Sequence, residues 1–290
     1  MSDPARKLIV VPCCGLGNRI LSITCGQLLA EDTGRVLQVD WTPVDNCAVE
    51  LTELFVPSFT LLKELPDNTV CYSSLQRRLE VVPEKYLDLL GRPTKERFGG
   101  LRADPADAIA IFTCHQFLDY YNDPRFPDQL RTFLATVRPE IIAEVDDFAE
   151  RHFDDTTVGI HVRRTDFRSQ KGLDHYLKQM RRFDDVTFFV STDDPAVTAE
   201  VRQHFPGALE YSKSSVSRQE SSGLVQALID MLLLSRTSFL IGTQGSSFTG
   251  IARAAGGTGG KFNFGQSISL RDLQLGNLRN MGRKIVRRYT

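Results

Sequence analysis

Apolar residues along the chain follow two alternating rhythms. Short, nearly unbroken runs occur at Leu8–Pro12, Ala108–Thr113, Val158–Val162 and Phe188–Val190. Such a run suits a strand covered on both faces, as in a parallel sheet. Between these runs lie longer stretches whose apolar residues recur at three- and four-residue spacing, the helical period. Ile20, Ile23, Leu28 and Leu29 mark one such stretch.

In chain order the pattern predicts a strand over Leu8–Pro12, a glycine turn, a helix from Asn18 to Asp32 and a strand over Val36–Val39. A helix over Leu75–Leu90, a loop over Arg92–Asp104 and a strand over Ala108–Thr113 follow. Cys13 and Cys14, read as extending the first strand, would face opposite sides. Pro139 suits a first helical turn, so a helix is expected over Glu140–Phe153. Then come strand Val158–Val162, helix Leu173–Phe183, strand Val186–Ser191 and helix Pro195–Phe205. Strand Ala208–Tyr211, helix Leu224–Leu234, strand Phe239–Gly242 and helix Ser247–Ala254 complete the series. Strands and helices in alternation make right-handed βαβ units. The expected architecture is α/β, with domains 1–136 and 137–290 as Rossmann-like halves facing across a cleft that holds the site.

Composition narrows the class. The 290 residues are 41% hydrophobic and 24% charged, with a net charge of -1. No global field draws the chain to nucleic acid or to an anionic membrane. Arg283, Lys284, Arg287 and Arg288 make the C-terminal end locally basic, read as a solvated helix face. No run reaches the roughly 20 apolar residues of a membrane span. The apolar run after Lys7 is too short for a signal-peptide core, so a cytoplasmic location is expected. Six cysteines, all before residue 115, form no CxxC pair and lack a histidine at zinc-ligand spacing. They read as reduced and mostly buried. His115, His152, His175 and His204 show no metal spacing either, so no metal is expected.

Candidate chemistry gathers at strand ends, where open parallel sheets bind ligands. Val158–Val162 runs into Arg163-Arg164-Thr165-Asp166. A guanidinium there can grip a phosphate through two hydrogen bonds, or an Arg/Asp pair can simply close the strand. Gly15-Leu16-Gly17-Asn18-Arg19 opens a helix, whose N-terminal N–H groups favour anions. It lacks the third glycine of a dinucleotide fingerprint, and a plain strand–helix turn is the other reading. Ser191-Thr192-Asp193-Asp194-Pro195 follows a third strand; Asp194 alone is explained as a helix cap. Gly242-Thr243-Gln244-Gly245-Ser246-Ser247 offers hydroxyls and N–H groups for a phosphate cradle, without the lysine of a P-loop. Asp230 sits inside an apolar helical run. It is either on an exposed face or buried and in need of donors, such as the N1–H and N2–H of a guanine edge. His161, within its strand, is a core residue or a ligand contact.

Taken together these segments resemble a known family. Gly159-Ile160-His161-Val162-Arg163-Arg164-Thr165-Asp166 looks like the first motif of the eukaryotic α1,6-fucosyltransferases and the related rhizobial and protein O-fucosyltransferases. Val190 to Pro195 resembles their second motif. Asp230, then Leu232 to Ser235, Phe239 to Thr243 and Ser246-Ser247, resembles the third, with a loop one residue longer. The glycine-Asn turn at Gly15–Arg19 resembles one near the start of their catalytic region. The resemblance covers the second half well and the first half only at that turn, as suits an acceptor-binding half.

The family implies a GT-B fold, a GDP-fucose donor, inversion at the sugar carbon, no metal and no further cofactor. It implies that Arg163 grips the β-phosphate, that Asp230 and His161 help hold the guanosine, and that Ser246 or Ser247 contacts phosphate. The expected catalytic set is Arg163, Asn18 and Asp166. The expected donor-binding set is Gly15, Gly17, His161, Arg163, Arg164, Asp193, Asp230, Thr243, Ser246 and Ser247. Asn18 and Arg19 would face the reaction centre from the first half. The partners are GDP-fucose and a glycan or protein acceptor. One departure stands out: Lys171 occupies the place of the α1,6 enzymes' glutamate. Asp166, Asp174 or His175, or no side chain, would then take the acceptor proton. Rival readings are a transferase for another GDP-sugar and a catalytically silent nucleotide-sugar-binding or scaffold protein.

Overall fold

All pairing between the strands of this computed structural model is parallel and forms two sheets, one in each of two compact units. The structure describes residues 5–75, 82–90, 98, 100–114, 117, 119–164, 172–256 and 261–263. One unit is Met1–Arg138 with Ser217–Val225; the other is Pro139–Val216 with Gln226–Thr290.

In the first unit β1 (Lys7–Pro12), β2 (Val36–Val39), β3 (Thr60–Leu61), β4 (Val70–Ser73) and β5 (Ala108–Thr113) lie in the order β3-β2-β1-β5-β4. β1 is central, and Leu8, Ile9, Val10 and Val11 are fully buried, which explains their unbroken apolar run. α1 (Leu16–Thr33) follows β1 and ends at Gly34 in the left-handed region. Short helices α2 (Leu51–Leu54) and α3 (Leu87–Leu90) and the amphipathic α4 (Phe126–Leu134) complete this unit. Ile9, Val11, Ala110, Phe112, Tyr86 and Leu75 share one core cluster.

In the second unit α5 (Pro139–His152) leads into β6 (Val158–Val162), α6 (Leu173–Met180), β7 (Phe188–Thr192) and α7 (Pro195–His204). α8 (Ser221–Arg236), β8 (Phe239–Ile241), α9 (Ser247–Ala255) and β9 (Lys261–Asn263) follow. The sheet order is β7-β6-β8-β9. One core cluster joins Val158, Ile160 and Val162 of β6 to Phe188 and Val190 of β7, Leu177 and Met180 of α6, and Val197 and Val201 of α7. Each such side chain withdrawn from water contributes about 1.5–3 kcal/mol before entropy is counted.

The expected α/β alternation is present, with four differences. Leu75 and Val82–Pro83 are not helical; a 3₁₀ turn at Glu84–Tyr86 and α3 replace the long helix among the described residues. Pro83 explains this, because it bars the helix from continuing through it. Ala208–Tyr211 is not a sheet strand but a single parallel bridge, Phe189 to Leu209. β1 stops at Pro12, and Cys14 lies at φ 66°, so the two cysteines do not flank an extended strand. Finally β3, β4, β9, α2 and α4 carried no distinct signal, the strands being only 2, 4 and 3 residues long. No disulfide links the six cysteines. The basic residues after Arg279 lie outside the described residues.

Candidate functional site

β6 pairs with β7 on one side and β8 on the other, so the strand order reverses at β6. The connections from the carboxyl ends of β6 and β8 run in opposite directions, to β7 and to β9, and open the crevice in which such sheets take ligands. Arg163 and Arg164 emerge there. The Arg163 backbone N–H donates to Thr243 Oγ1 at 3.1 Å. Thr243 in turn donates to the carbonyl of His161 at 3.0 Å. A threonine hydroxyl has one proton, so the 3.0 Å contact with Tyr176 is a donation from the tyrosine O–H. Thr243, only 1% exposed, has thus spent its whole hydrogen-bonding capacity on the protein. It fixes the point at which β6 releases Arg163, which is a different task from the direct phosphate contact expected of its side chain.

The second strand end reinforces the first. Asp193 accepts from the Arg164 backbone N–H at 2.8 Å. Asp194 accepts from Ala196 N–H at 3.0 Å and caps α7. The two adjacent carboxylates therefore have separate jobs.

The loop from β8 to α9 is built for close approach. A Cβ on Gly242 would stand 2.1 Å from Thr249 Cγ2, so only glycine lets α9 pack there. Gly245 turns the chain at φ 74°, a region that glycine enters without penalty. Ser246 is the N-cap of α9, yet its side chain makes no cap hydrogen bond. Its Oγ is buried and has no partner among the described residues. The first N–H groups of α9 accompany that hydroxyl, and together they present a site for negative charge. Ser247 follows, half-buried.

His161 is buried with its Nδ1 2.6 Å from Thr249 Oγ1 and its ring stacked on Phe248 at 4.7 Å. Burial, helped by the charge of Arg163, pushes its pKa down to about 3. It is neutral at physiological pH and works by hydrogen bonding and packing.

His161 and Ser191 are register partners across β6 and β7 and share a face of the sheet. Ser191 Oγ donates to Asp230 Oδ2 at 2.7 Å. Asp230 is only 3% exposed, so α8 buries this carboxylate. Lys213 Nζ lies 2.6 Å from the same oxygen and donates to the Thr192 carbonyl at 3.1 Å. Oδ1 of Asp230 is buried without a partner among the described residues. Burial raises the Asp230 pKa, and the ammonium of Lys213 opposes that rise. Lys213 escaped the sequence reading. A buried acid calls for a cation, but nothing in a polar loop says which one will come.

In the first unit Gly15 is the N-cap of α1, and an added Cβ would meet nothing closer than Asn46 O at 3.6 Å. Protein packing alone does not demand a glycine there. Gly17 and Asn18 lie in the first turn, Asn18 half-buried with its carbonyl accepting from Ser22 at 2.8 Å. Arg19, expected to face the reaction centre, keeps Nη1 buried without a partner among the described residues. It is fully buried, with Nε on Cys14 O and Nη2 on Thr42 O, both at 3.0 Å, and its guanidinium over the Trp41 ring at 4.7 Å. Those contacts tie the loops after β1 and β2 together. Asp166 and Lys171 lie outside the described residues. Asp174 is exposed and His175 half-buried in the first turn of α6. Among the described residues no group of three or more His, Cys, Asp or Glu could hold a metal, and no helix is long and apolar enough to cross a membrane.

No protein-family model matches the chain. The chain is 27% identical over 276 residues to Nodulation protein Z of Azorhizobium caulinodans, covering 78% of this chain and 82% of that one. Among solved structures it resembles the NodZ α-1,6-fucosyltransferase soaked with GDP-fucose, at a TM-score of 0.62 and 23% identity over 87% of this chain and 93% of that one. NodZ from Bradyrhizobium gives 0.63 at 23% identity, over 86% and 92%. A mutant of Arabidopsis thaliana FUT1 in complex with GDP gives 0.59 at 17% identity, over 89% and 70%. POFUT1 in complex with GDP-fucose gives 0.55 at 12% identity, over 90% and 98%. The fold is that of these GT-B transferases.

Proposed function

We infer that this chain is a member of the GDP-fucose-dependent fucosyltransferase superfamily and moves L-fucose from GDP-fucose to a hydroxyl of a glycan or protein. One observation carries the site assignment: an arginine at the topological switch point of the second unit, anchored through Thr243, in the same crevice as an α9 N-terminus whose Ser246 hydroxyl is unpartnered.

That arrangement suits a nucleoside diphosphate leaving group. As the sugar–phosphate bond lengthens, negative charge grows on the β-phosphate. A fixed guanidinium and helix-start N–H groups meet that charge as it develops. We assign Arg163 this role, with Ser246 and Ser247 on phosphate and Arg164 and Asp193 shaping the turn. These groups do the work of a cation, so the transfer is proposed to need no metal. Asp230 is assigned to the base, since its orphaned Oδ1 requires an N–H donor and a guanine edge supplies two. His161, being neutral, packs and positions and carries no charge. The acceptor hydroxyl attacks the face opposite the leaving group and inverts the sugar carbon. Its proton passes to Asp166, Asp174, His175 or solvent; where C–O cleavage runs ahead of attack, little base help is needed.

The first unit is assigned to the acceptor, with Gly15 and Gly17 at the carboxyl end of β1 assigned to the donor and Asn18 to the reaction centre. The absence of a disulfide among the six cysteines fits a reducing, cytoplasmic setting.

Calorimetric titration with GDP, GDP-fucose, GDP-mannose and UDP-glucose in EDTA tests the reading. Wild type should bind GDP and GDP-fucose with micromolar affinity, and Arg163→Ala should lose that binding. In turnover, Arg163→Ala should cost on the order of a thousand-fold, about 4 kcal/mol of barrier. Equal affinity for GDP-mannose would shift the donor to another GDP-sugar. No GDP binding would refute the assignment.

A further inference from the structure

We propose that Lys213 is a positioning residue for the nucleobase: it occupies one oxygen of Asp230 so that the other is presented, as a carboxylate oxygen, to the N–H edge of guanine. This rests on the donor reading above and goes beyond it by naming what makes the base recognition selective.

The geometry is asymmetric. Oδ2 of Asp230 takes Lys213 Nζ at 2.6 Å and Ser191 Oγ at 2.7 Å, while Oδ1 takes nothing among the described residues. A carboxylate buried to this depth normally has its acceptors filled, because an unmade hydrogen bond there costs more than a typical bond contributes. Lys213 is itself held, donating to the carbonyl of Thr192 at the end of β7 at 3.1 Å, and its side chain is 10% exposed. The ammonium therefore stays put and is not a surface charge visiting the acid. Across the sheet stands His161, in register with Ser191, so the Asp230 carboxylate lies against the same sheet face as His161.

Charge decides what the free oxygen can recognise. A carboxylate oxygen accepts from guanine N1–H and N2–H. A protonated carboxyl would instead donate and could meet the N1 acceptor of adenine. The charged and titratable groups around Asp230 are Lys213, Glu210 and Tyr211, all from the segment after α7, and Lys213 alone favours the ionised form. Within α8 the other ionisable group is Arg236, which pairs with Asp146. Removing Lys213 takes away the main opposition to burial and leaves the Ser191 hydrogen bond alone to favour the carboxylate, so the Asp230 pKa should rise further.

GDP and ADP titrations of wild type, Lys213→Arg, Lys213→Gln and Lys213→Met between pH 6 and 9 test this. Wild type and Lys213→Arg should prefer GDP at every pH, with a flat profile. Lys213→Gln removes the charge and keeps an N–H donor, on a side chain one bond shorter. It should bind GDP at least about tenfold more weakly at the acid end, recover as the pH rises, and show a reduced GDP-over-ADP ratio. Lys213→Met should do the same, and Lys213→Gln carries the test if the Met protein does not fold. A wild-type ratio and a flat profile in Lys213→Gln would overturn the proposal. If wild type itself fails to prefer GDP, the donor reading falls and this inference falls with it; that outcome is visible in the wild-type arm alone.

Discussion

Replacing Thr243 with valine is the sharpest probe of how the site is assembled. Valine keeps the shape and deletes the hydroxyl. Three partners lose it: the His161 carbonyl, the Tyr176 O–H and the Arg163 N–H. The Arg163 N–H is only partly buried, so water can replace that bond. The His161 and Tyr176 groups are buried, and each unsatisfied group costs about 1–3 kcal/mol. The expected loss is therefore about 2–6 kcal/mol, with no cavity contribution. For a chain of this size each kcal/mol lowers Tm by about 2–4 °C, which makes a fall of roughly 4–24 °C. The functional effect should be separate. Without its anchor the end of β6 is free to shift, and a displacement of about 1 Å at a reacting centre costs on the order of a hundred-fold in rate. Urea unfolding and GDP titration of Thr243→Val, beside Thr243→Ser, give both readouts. Serine should retain most of the stability and the affinity. Stability within about 0.5 kcal/mol of wild type together with unchanged GDP binding in Thr243→Val would refute the anchoring role.

Two further outcomes follow from single contacts. Asp194→Ala removes the cap on α7 and should cost about 1 kcal/mol in unfolding, while GDP affinity stays at the wild-type value; a large loss of affinity would mean Asp194 reaches the ligand. His161 has its pKa lowered from 6.5 to about 3 by burial, so the unfolded chain binds a proton there that the folded chain refuses. Its contribution is complete above about pH 6.5 and falls by about 1.4 kcal/mol per unit as pH drops below that. His161→Gln, compared with wild type by urea unfolding at pH 5, 6 and 7, should lose that slope; parallel curves would show that His161 titrates normally in the fold.

Much of the fold was legible because the central strands advertise themselves. β1, β5 and β6 are buried over nearly their whole length, so their sequences are apolar at almost every position. The edge strands of the first sheet give no such signal, whereas β7, an edge strand of the second, is buried and does. β3 is two residues long with both exposed, and β4 is half-buried at its start. Helices with one apolar stripe, such as α6, were placed to within a few residues. The stretch Leu75–Leu90 misled because its apolar spacing is helical, whereas Pro83 interrupts it. Ala208–Tyr211 has strand composition, yet it contributes only one bridge, Phe189 to Leu209.

The site was legible in a different way, through residues that make little sense as structure. An arginine pair after a buried strand, a carboxylate inside an apolar helix and a run of small hydroxyls before a helix each cost stability unless something is bound. The groups that hold them do not stand out, because holding is cheap in sequence terms: Tyr176 and Thr249 read as ordinary helix residues, and Lys213 as a loop lysine. Arg19 shows the converse. It was expected to face the reaction centre, and the fold uses two of its nitrogens as a bracket between two loops. Type and place in a motif thus identify an unusual residue, but only its partners separate a group that is spent on the protein from one left open to a ligand. By that criterion Thr243 is committed to the scaffold, and Arg19 is committed through Nε and Nη2 but not through Nη1, which has no partner among the described residues. Ser246 keeps a hydroxyl and Asp230 an acceptor oxygen that the described residues leave unpartnered. On the function proposed above one molecule fills both: its phosphate accepts from the Ser246 hydroxyl and its base donates to Asp230, as a guanosine diphosphate would.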